Sequence, residues 1–305
     1  MATLERVDDA HLISLRTRNV MGRSVAADVF IDHPQVSNEH AAIWWDGEGW
    51  RVRDLASRNG TSVAGKTLKV REARRLRRGD VILVGSEKHA YRLTDNGAPT
   101  ASAVSQLHGH DILPTGDILA LPDELDPVMT VYRDISGKWV GERSEGVEPL
   151  RDLQLLRFQT DAFRIYLPVP SEETVRHKPA ATIDSIGLQF THSLDEEHVV
   201  VAAIRPHSDP LNLGARAHNY LLLLLARQRL QDADEGGPID GHGWLYREEL
   251  ARMLGTDERT LNVHIYRARQ ALATVGVEDA ALLIEVRTSN RQVRIGVSQL
   301  VVKQA

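Results

Sequence analysis

The chain has 305 residues, of which 42% are hydrophobic and 26% charged, a composition typical of globular proteins and a length that predicts two or three domains. It contains no cysteine, which excludes disulfides, thiolate metal sites and cysteine nucleophiles. The net charge of −5 divides unevenly, with roughly +3 in residues 1–100, roughly −9 in 101–210 and roughly +1 in 211–305. The first segment therefore suits an anionic partner, and the middle segment does not.

Two features of the hydropathy profile indicate a cytoplasmic protein. The first six residues, Met-Ala-Thr-Leu-Glu-Arg, are charged and lack the apolar core of a signal peptide. The longest apolar run, from Tyr220 to Ala226, is too short to span a bilayer. We therefore expect no membrane partner.

Short apolar and β-branched runs separated by turn residues fill the first hundred residues. This pattern predicts an all-β sandwich, which we assign to residues 1–97. The predicted strands are His11–Arg16, Asp28–Ile31, Ala42–Trp45, Trp50–Asp54, Val81–Val84 and Ala90–Leu93.

Three polar turns between these strands carry the chemistry of the segment. They are Gly22-Arg23-Ser24, Val36-Ser37-Asn38-Glu39-His40-Ala41 and Ser57-Arg58-Asn59-Gly60-Thr61. Loops at one end of a sandwich converge on ligands, and these loops supply hydrogen-bond donors and two permanent cations. The candidate site residues are Arg23, Ser37, Asn38, Arg58 and Asn59. Together they suit a phosphate group.

The order and spacing of these turns resemble the forkhead-associated (FHA) domain, a module that binds phosphothreonine. The resemblance implies that Arg23 and Ser37 contact the phosphate and that Asn59 binds the peptide backbone beside it. Asn38 stands where the family more often has Arg or Lys, and Arg58 supplies a charge from the neighbouring loop. Gly22, His40, Gly60 and Thr61 match architectural positions. The alternative is a sandwich that keeps the fold without binding phosphate.

The middle of the chain predicts a linker and a β-rich module, but it contains no chemical motif. Residues 98–116 are small, polar and rich in turn residues, and are predicted to be a linker. Residues 117–205 are predicted to be a β-rich module of three hairpins. The run His108-Gly109-His110-Asp111 is interpreted as a solvated polar stretch rather than a metal site. With no catalytic constellation in sight, we expect no enzyme activity, cofactor or metal.

The period of the apolar residues changes to that of helices in residues 206–305. Predicted helices over Ala215–Leu230, Tyr246–Leu254 and Asp257–Val275 are followed by predicted strands Leu282–Arg287 and Gln292–Val297. Three helices and a β-hairpin are typical of a winged helix-turn-helix domain. The whole chain is thus a multidomain protein with an all-β head and an α+β carboxy-terminal domain.

In the third predicted helix, one face lies opposite the buried stripe. This face is formed by Arg259, Val263, Tyr266, Arg267 and Gln270. The helix sequence from Arg259 to Arg269 resembles the recognition helix of OmpR/PhoB-type winged-helix regulators. The resemblance departs in having no receiver domain and no wing glycines. The positions expected to contact DNA are Arg259, Tyr266, Arg267 and Arg269 on the helix and Arg287, Thr288 and Arg291 in the wing.

These features lead to one hypothesis with one alternative. The hypothesis is a bacterial transcription regulator that couples Ser/Thr-kinase signalling to double-stranded DNA, with a homodimer on DNA left open. Its acidic middle would mask the basic DNA-binding face. The partner of the first segment would be a phosphothreonine-containing protein, either a kinase or its substrate. The alternative is a phospho-dependent adaptor whose winged helix binds protein.

Overall fold

The structure, a computed structural model, describes residues 2–168, 181–205, 209–287 and 290–305. Thr288, one of the predicted DNA contacts, lies outside the described residues, as do residues 169–180 of the predicted β-rich module. The described residues divide into two compact units, one that contains residues 2–100 and one that contains residues 101–167, 181–205, 209–287 and 290–305. No helix within the described ranges is both long and apolar enough to cross a membrane.

The first unit is a β-sandwich, as the sequence predicts. Its strands are β1 (Thr3–Arg6), β2 (Leu12–Ser14), β3 (Arg18–Gly22), β4 (Val29–Phe30), β5 (Ala41–Trp45), β6 (Trp50–Asp54), β7 (Thr61–Val63), β8 (Lys66–Thr67), β9 (Ala73–Arg75), β10 (Val81–Val84) and β11 (Ser86–Asp95). They form two sheets, with the strand orders β2-β1-β11-β10-β7-β8 and β4-β3-β5-β6-β9. In β6, Trp50 and Val52 face the core while Arg51 and Arg53 alternate outward. The core also buries Met21, Ile43 and Tyr91.

The strand register brings the three polar turns to one end of this sandwich. Met21 of β3 pairs with Ala41 of β5, and Ala41 pairs with Asp54 of β6. The end of β3, the start of β5 and the end of β6 are therefore adjacent. Thr61, which opens β7 after the third turn, pairs with Val84 at the end of β10.

The second unit contains four sheets and three α-helices in the part of the chain that is described. Its strands are β12 (Ser102–Ser105), β13 (Asp111–Ile112), β14 (Leu119–Leu121), β15 (Met129–Arg133), β16 (Trp139–Arg143), β17 (Gly146–Pro149), β18 (Leu155–Arg157), β19 (Ala162–Tyr166), β20 (Gly187–His192), β21 (Val199–Ile204), β22 (Leu211–Ala215), β23 (Leu245–Tyr246), β24 (Ile284–Arg287), β25 (Gln292–Ile295) and β26 (Gln299–Gln304). Its helices are α1 (Asn219–Glu235), α2 (Arg247–Met253) and α3 (Glu258–Thr274), with short 3-10 turns at Ile183–Ser185, Ile239–Gly241 and Ala280–Leu283.

The predicted linker over residues 98–116 is wrong in one respect, because it contains two strands. β12 pairs with β19, and β13 pairs with β12, in a sheet of order β13-β12-β19-β18. Ala101 and Ala103 are buried in its core. Small residues here serve close packing rather than chain flexibility.

The predicted boundary at residue 205 falls inside one sheet. β20 and β21 come from the segment assigned to the middle module, while β22 and β26 come from the segment assigned to the winged helix, and the four form the order β22-β21-β20-β26. The β20–β26 pairing is parallel and joins residues over a hundred positions apart. Short-range periodicity carries no signal for such a pairing.

The three helices lie close to their predicted positions. Leu221–Ala226 of α1 are all buried, because α1 packs against α3, β25 and the β21–β26 sheet. Helix α3 begins after Asp257, whose side chain accepts the Thr260 N–H at 2.7 Å and caps the helix. β24 and β25 are antiparallel and, with β23, form a three-stranded sheet of order β23-β25-β24.

Candidate functional site

Backbone hydrogen bonds tie the polar turns of the first unit into one surface. The Arg23 N–H donates to the Ser37 carbonyl at 2.9 Å, and the Ser24 N–H donates to the Asn38 carbonyl at 3.1 Å. The Arg58 N–H donates to Ser37 Oγ at 3.2 Å. Ser37 therefore lies at the junction of all three turns.

Two buried features hold this junction in place. His40 is fully buried; its Nδ1 accepts the Ser37 N–H at 3.0 Å and its Nε2 lies 2.9 Å from the Gly60 carbonyl. Because the Nδ1 accepts, the proton must be on Nε2, which donates to Gly60. At Gly22, a Cβ atom would lie 2.0 Å from the Asn38 carbonyl oxygen, so only glycine permits this approach.

Asp54 organises the third turn. Its carboxylate accepts the Ser57 N–H at 2.9 Å, the Ser57 hydroxyl at 2.6 Å and the Thr61 hydroxyl at 2.7 Å. Burial acts to raise the pKa of Asp54, but these hydrogen bonds outweigh it and hold the pKa below its ordinary value. The turn that presents Arg58 and Asn59 is thus built on an ionised carboxylate.

The remaining side chains of the surface are free to bind a ligand. Arg23, Asn38 and Arg58 are exposed, and across the described residues no hydrogen bond or ion pair engages their side chains. Ser37 Oγ accepts from Arg58 N–H and keeps its own proton for donation. Asn59 Nδ2 donates to the Gln35 carbonyl at 2.7 Å, which leaves the Asn59 Oδ1 as an acceptor. Two exposed guanidinium groups and one hydroxyl therefore belong to the turns that meet at Ser37.

The family model for the FHA domain matches residues 19–85, the segment that contains all three turns. The chain carries an N-terminal FHA domain. FHA domains are phosphopeptide-binding modules rather than enzymes, and the presence of one implies phosphothreonine-dependent protein interaction. Comparison with curated proteins gives no match.

Solved structures of FHA domains are similar to about a third of the chain. One, from a study of phosphothreonine-dependent FHA domain interactions, is 29% identical over 32% of this chain and 98% of that chain, with a TM-score of 0.29. The FHA domain of FhaA, solved with the intracellular domain of another protein, is 30% identical over 30% and 99%, with a TM-score of 0.28. Mycobacterium tuberculosis EmbR, solved with a low-affinity phosphopeptide, is 26% identical over 32% of this chain, with a TM-score of 0.29. The match spans only 25% of EmbR.

In the second unit, the polar face of α3 is covered by protein. Asp126, in the turn between β14 and β15, forms a two-point ion pair with Arg259, with Arg259 Nε 2.8 Å from Asp126 Oδ1. The Tyr266 hydroxyl donates to Glu124 Oε1 at 2.7 Å, and Gln270 Nε2 lies 3.3 Å from Glu124 Oε2. Burial and the bond to Glu124 raise the pKa of Tyr266. The predicted exposure of Tyr266 is wrong, because the side chain is 0% exposed.

Arg269 belongs to a buried charge cluster rather than to an open face. Arg269 and Arg247 both pair with Glu142 on β16, at 2.8 Å and 3.4 Å, and the Tyr132 hydroxyl donates to Glu142 at 2.9 Å. Arg247 also donates to Asn262. Arg269 is 0% exposed and is therefore not accessible to a DNA groove as it stands. Burial acts to raise the pKa of Glu142, but the two arginines lower it.

The other arginines predicted to contact DNA differ in whether their side chains are already paired with other groups. Arg267 is exposed, and within the described ranges no hydrogen bond or ion pair engages its guanidinium. Arg287 stacks 4.0 Å from the Trp244 ring centroid and donates to the Asp240 carbonyl. Arg291 pairs with Glu258 at 2.5 Å and Glu248 at 3.5 Å. Of this set, Arg267 is the cation that a phosphate can approach without displacing another group.

A cleft of about 730 Å³ in the second unit had no sequence signal. It is lined by β15–β17, by Trp244 and by the turn at Asp279–Leu282. Asp279 accepts the Ile183 N–H at 2.7 Å, and burial raises its pKa. Since its walls come from distant segments, composition and local spacing could not indicate it.

Proposed function

We propose that this protein is a phosphothreonine-binding transcription regulator, with the FHA domain as its input. The observation that supports phosphothreonine binding is the group of exposed hydrogen-bond donors on the turns that meet at Ser37. Arg23 would bind two phosphate oxygens, Arg58 would add a second positive charge, and the Ser37 hydroxyl would donate a third contact. Asn59 Oδ1 would accept a backbone N–H of the peptide. The exposed Asn38 amide contributes donors without charge.

The input is tested with a library of phosphothreonine peptides and the same peptides without phosphate. Arg23→Ala removes a two-point, charge-assisted contact of about 1.5–3 kcal/mol per bond, so binding should weaken by at least tenfold. The matched control is Arg78→Ala, an exposed arginine in the turn before β10. Because Val63 pairs with Ile82, that turn lies at the opposite end of the sandwich from Gly60. Equal affinity for peptides with and without phosphate would contradict the proposal.

For the output we propose a winged-helix module that binds DNA through α3. Three helices followed by the β24–β25 hairpin support it, as do the cations Arg259 and Arg267 on α3. The module would begin before residue 206, since β20 and β21 share a sheet with β26. Duplex binding that weakens steeply as salt rises is the expected signature.

A protein-binding adaptor is the second candidate, and one observation favours it. Tyr266 and Arg269 are already buried against residues of β14–β16 and the turn between β14 and β15, so this face of α3 is adapted to protein contact. The adaptor predicts no salt-dependent duplex binding under any condition.

A further inference from the structure

The turn between β14 and β15 is unusually acidic. Three of its seven residues, Asp123, Glu124 and Asp126, carry carboxylates, and we call residues 123–126 the acidic turn. Glu124 and Asp126 contact α3, while Asp123 Oδ1 accepts the N–H groups of Leu125 at 2.8 Å and Asp126 at 3.0 Å. Leu125 at the tip is 80% exposed. Asp123 therefore shapes the turn, and the other two acids hold the helix.

The contacts made by the acidic turn cover the α3 residues that the helix would need to bind a DNA groove. Asp126 neutralises Arg259, and Glu124 accepts from both Tyr266 and Gln270. Thr115 strengthens the position of Glu124, because its hydroxyl donates to Glu124 Oε1 at 2.5 Å. A DNA backbone approaching this face would meet carboxylates in place of cations, and like charges repel.

We propose that the acidic turn is an autoinhibitory clamp, which keeps α3 from entering a DNA groove until Glu124 and Asp126 release it. This inference rests on the proposed DNA-binding output. General masking by an acidic domain would depend on net charge. The clamp depends instead on specific contacts of two carboxylates, those of Glu124 and Asp126, with three side chains of α3.

The clamp is held by contacts that can open without unfolding the unit. Arg259 is 71% exposed, and exposed ion pairs contribute little and are screened by salt. The deeper contact between Arg269 and Glu142 is fully buried and lies on β16 rather than on the turn. Release of the turn would therefore expose Arg259, Tyr266 and Gln270 while α3 stays packed against the rest of the unit.

The test compares two full-length variants that each lose two negative charges. Glu124→Gln with Asp126→Asn removes the clamp carboxylates. Glu148→Gln with Glu197→Gln is the matched control, since both of these acids are exposed and, among the described residues, no hydrogen bond or ion pair joins either of them to α3. Fluorescence anisotropy with a random-sequence duplex at low salt gives the affinity. We expect the clamp variant to bind about tenfold or more tightly than wild type and the control to change less than about twofold.

A second variant and a second measurement keep the outcomes separate. Thr115→Glu places a carboxylate beside that of Glu124 and should open the clamp by repulsion. Hydrogen exchange over residues 119–129, which include the acidic turn, should quicken in both clamp variants and not in the control. Unchanged exchange in both overturns the clamp. Duplex binding by wild type as tight as that of the clamp variant overturns the clamp and leaves the DNA-binding output standing. If exchange quickens but no variant binds the duplex, the proposed DNA binding through α3 is wrong, and so is the inhibitory role of the acidic turn.

Discussion

At the scale of single residues, the sharpest contrast is between two arginines of α3 that the sequence placed together as DNA contacts. Arg267 is exposed, whereas Arg269 is fully buried against Glu142. A buried arginine and a buried glutamate recover part of the hydration that they lose by pairing with each other, and Arg247 and Tyr132 also bind Glu142 here. Arg269 is therefore a structural residue in this conformation.

This assignment predicts that Arg269→Ala destabilises the second unit by about 3–5 kcal/mol, because it leaves Glu142 buried with one partner lost. Urea unfolding followed by circular dichroism measures the change. Arg252→Ala is the control: Arg252 is exposed on α2, and its loss should alter the free energy of unfolding by less than about 0.5 kcal/mol. Similar effects of the two substitutions would contradict the structural role.

At the scale of elements, the sequence predicted what depends on near neighbours. The helix bounds were close because apolar spacing and the Asp257 cap are local signals. The three polar turns of the first unit could be located because each is a compact motif between recognisable strands. The covered face of α3 was missed because Tyr266 meets Glu124, 142 residues away in sequence, and a helical wheel contains no such partner. The β20–β26 pairing was missed for the same reason.

The turn from Asp54 to Thr61 shows how one local signal fixes a binding element. Asp54→Asn keeps the size of the side chain but weakens three charge-assisted hydrogen bonds, so the turn with Arg58 and Asn59 should loosen while the sandwich stays folded. We expect phosphopeptide affinity to fall several-fold, measured by calorimetry.

Asp80→Asn is the matched control for that substitution. Asp80 also accepts a backbone N–H within a turn, from Arg77 at 2.9 Å, but at the opposite end of the sandwich. An equal loss of peptide affinity in both variants would show that general stability, and not the organisation of the Asp54 turn, is responsible.

At the scale of the whole molecule, the FHA turns and helix α3 belong to separate compact units with separate hydrophobic cores. The charges follow this division, since free arginines lie on the FHA turns and on α3, while the acids that oppose α3 come from the second unit itself. Binding at each surface should therefore respond to its own arginine.

The last prediction uses the clamp-open background of Glu124→Gln with Asp126→Asn. There, Arg23→Ala should abolish phosphopeptide binding and leave duplex affinity within about twofold. Arg267→Ala should do the reverse, weakening duplex binding and lowering the slope of log affinity against log salt by about one, as expected for the loss of one phosphate contact. Anisotropy titrations at four or more salt concentrations measure the slope. An unchanged slope in Arg267→Ala would mean that α3 does not approach the DNA backbone through this residue, and loss of duplex binding in Arg23→Ala would mean that the two surfaces do not act separately.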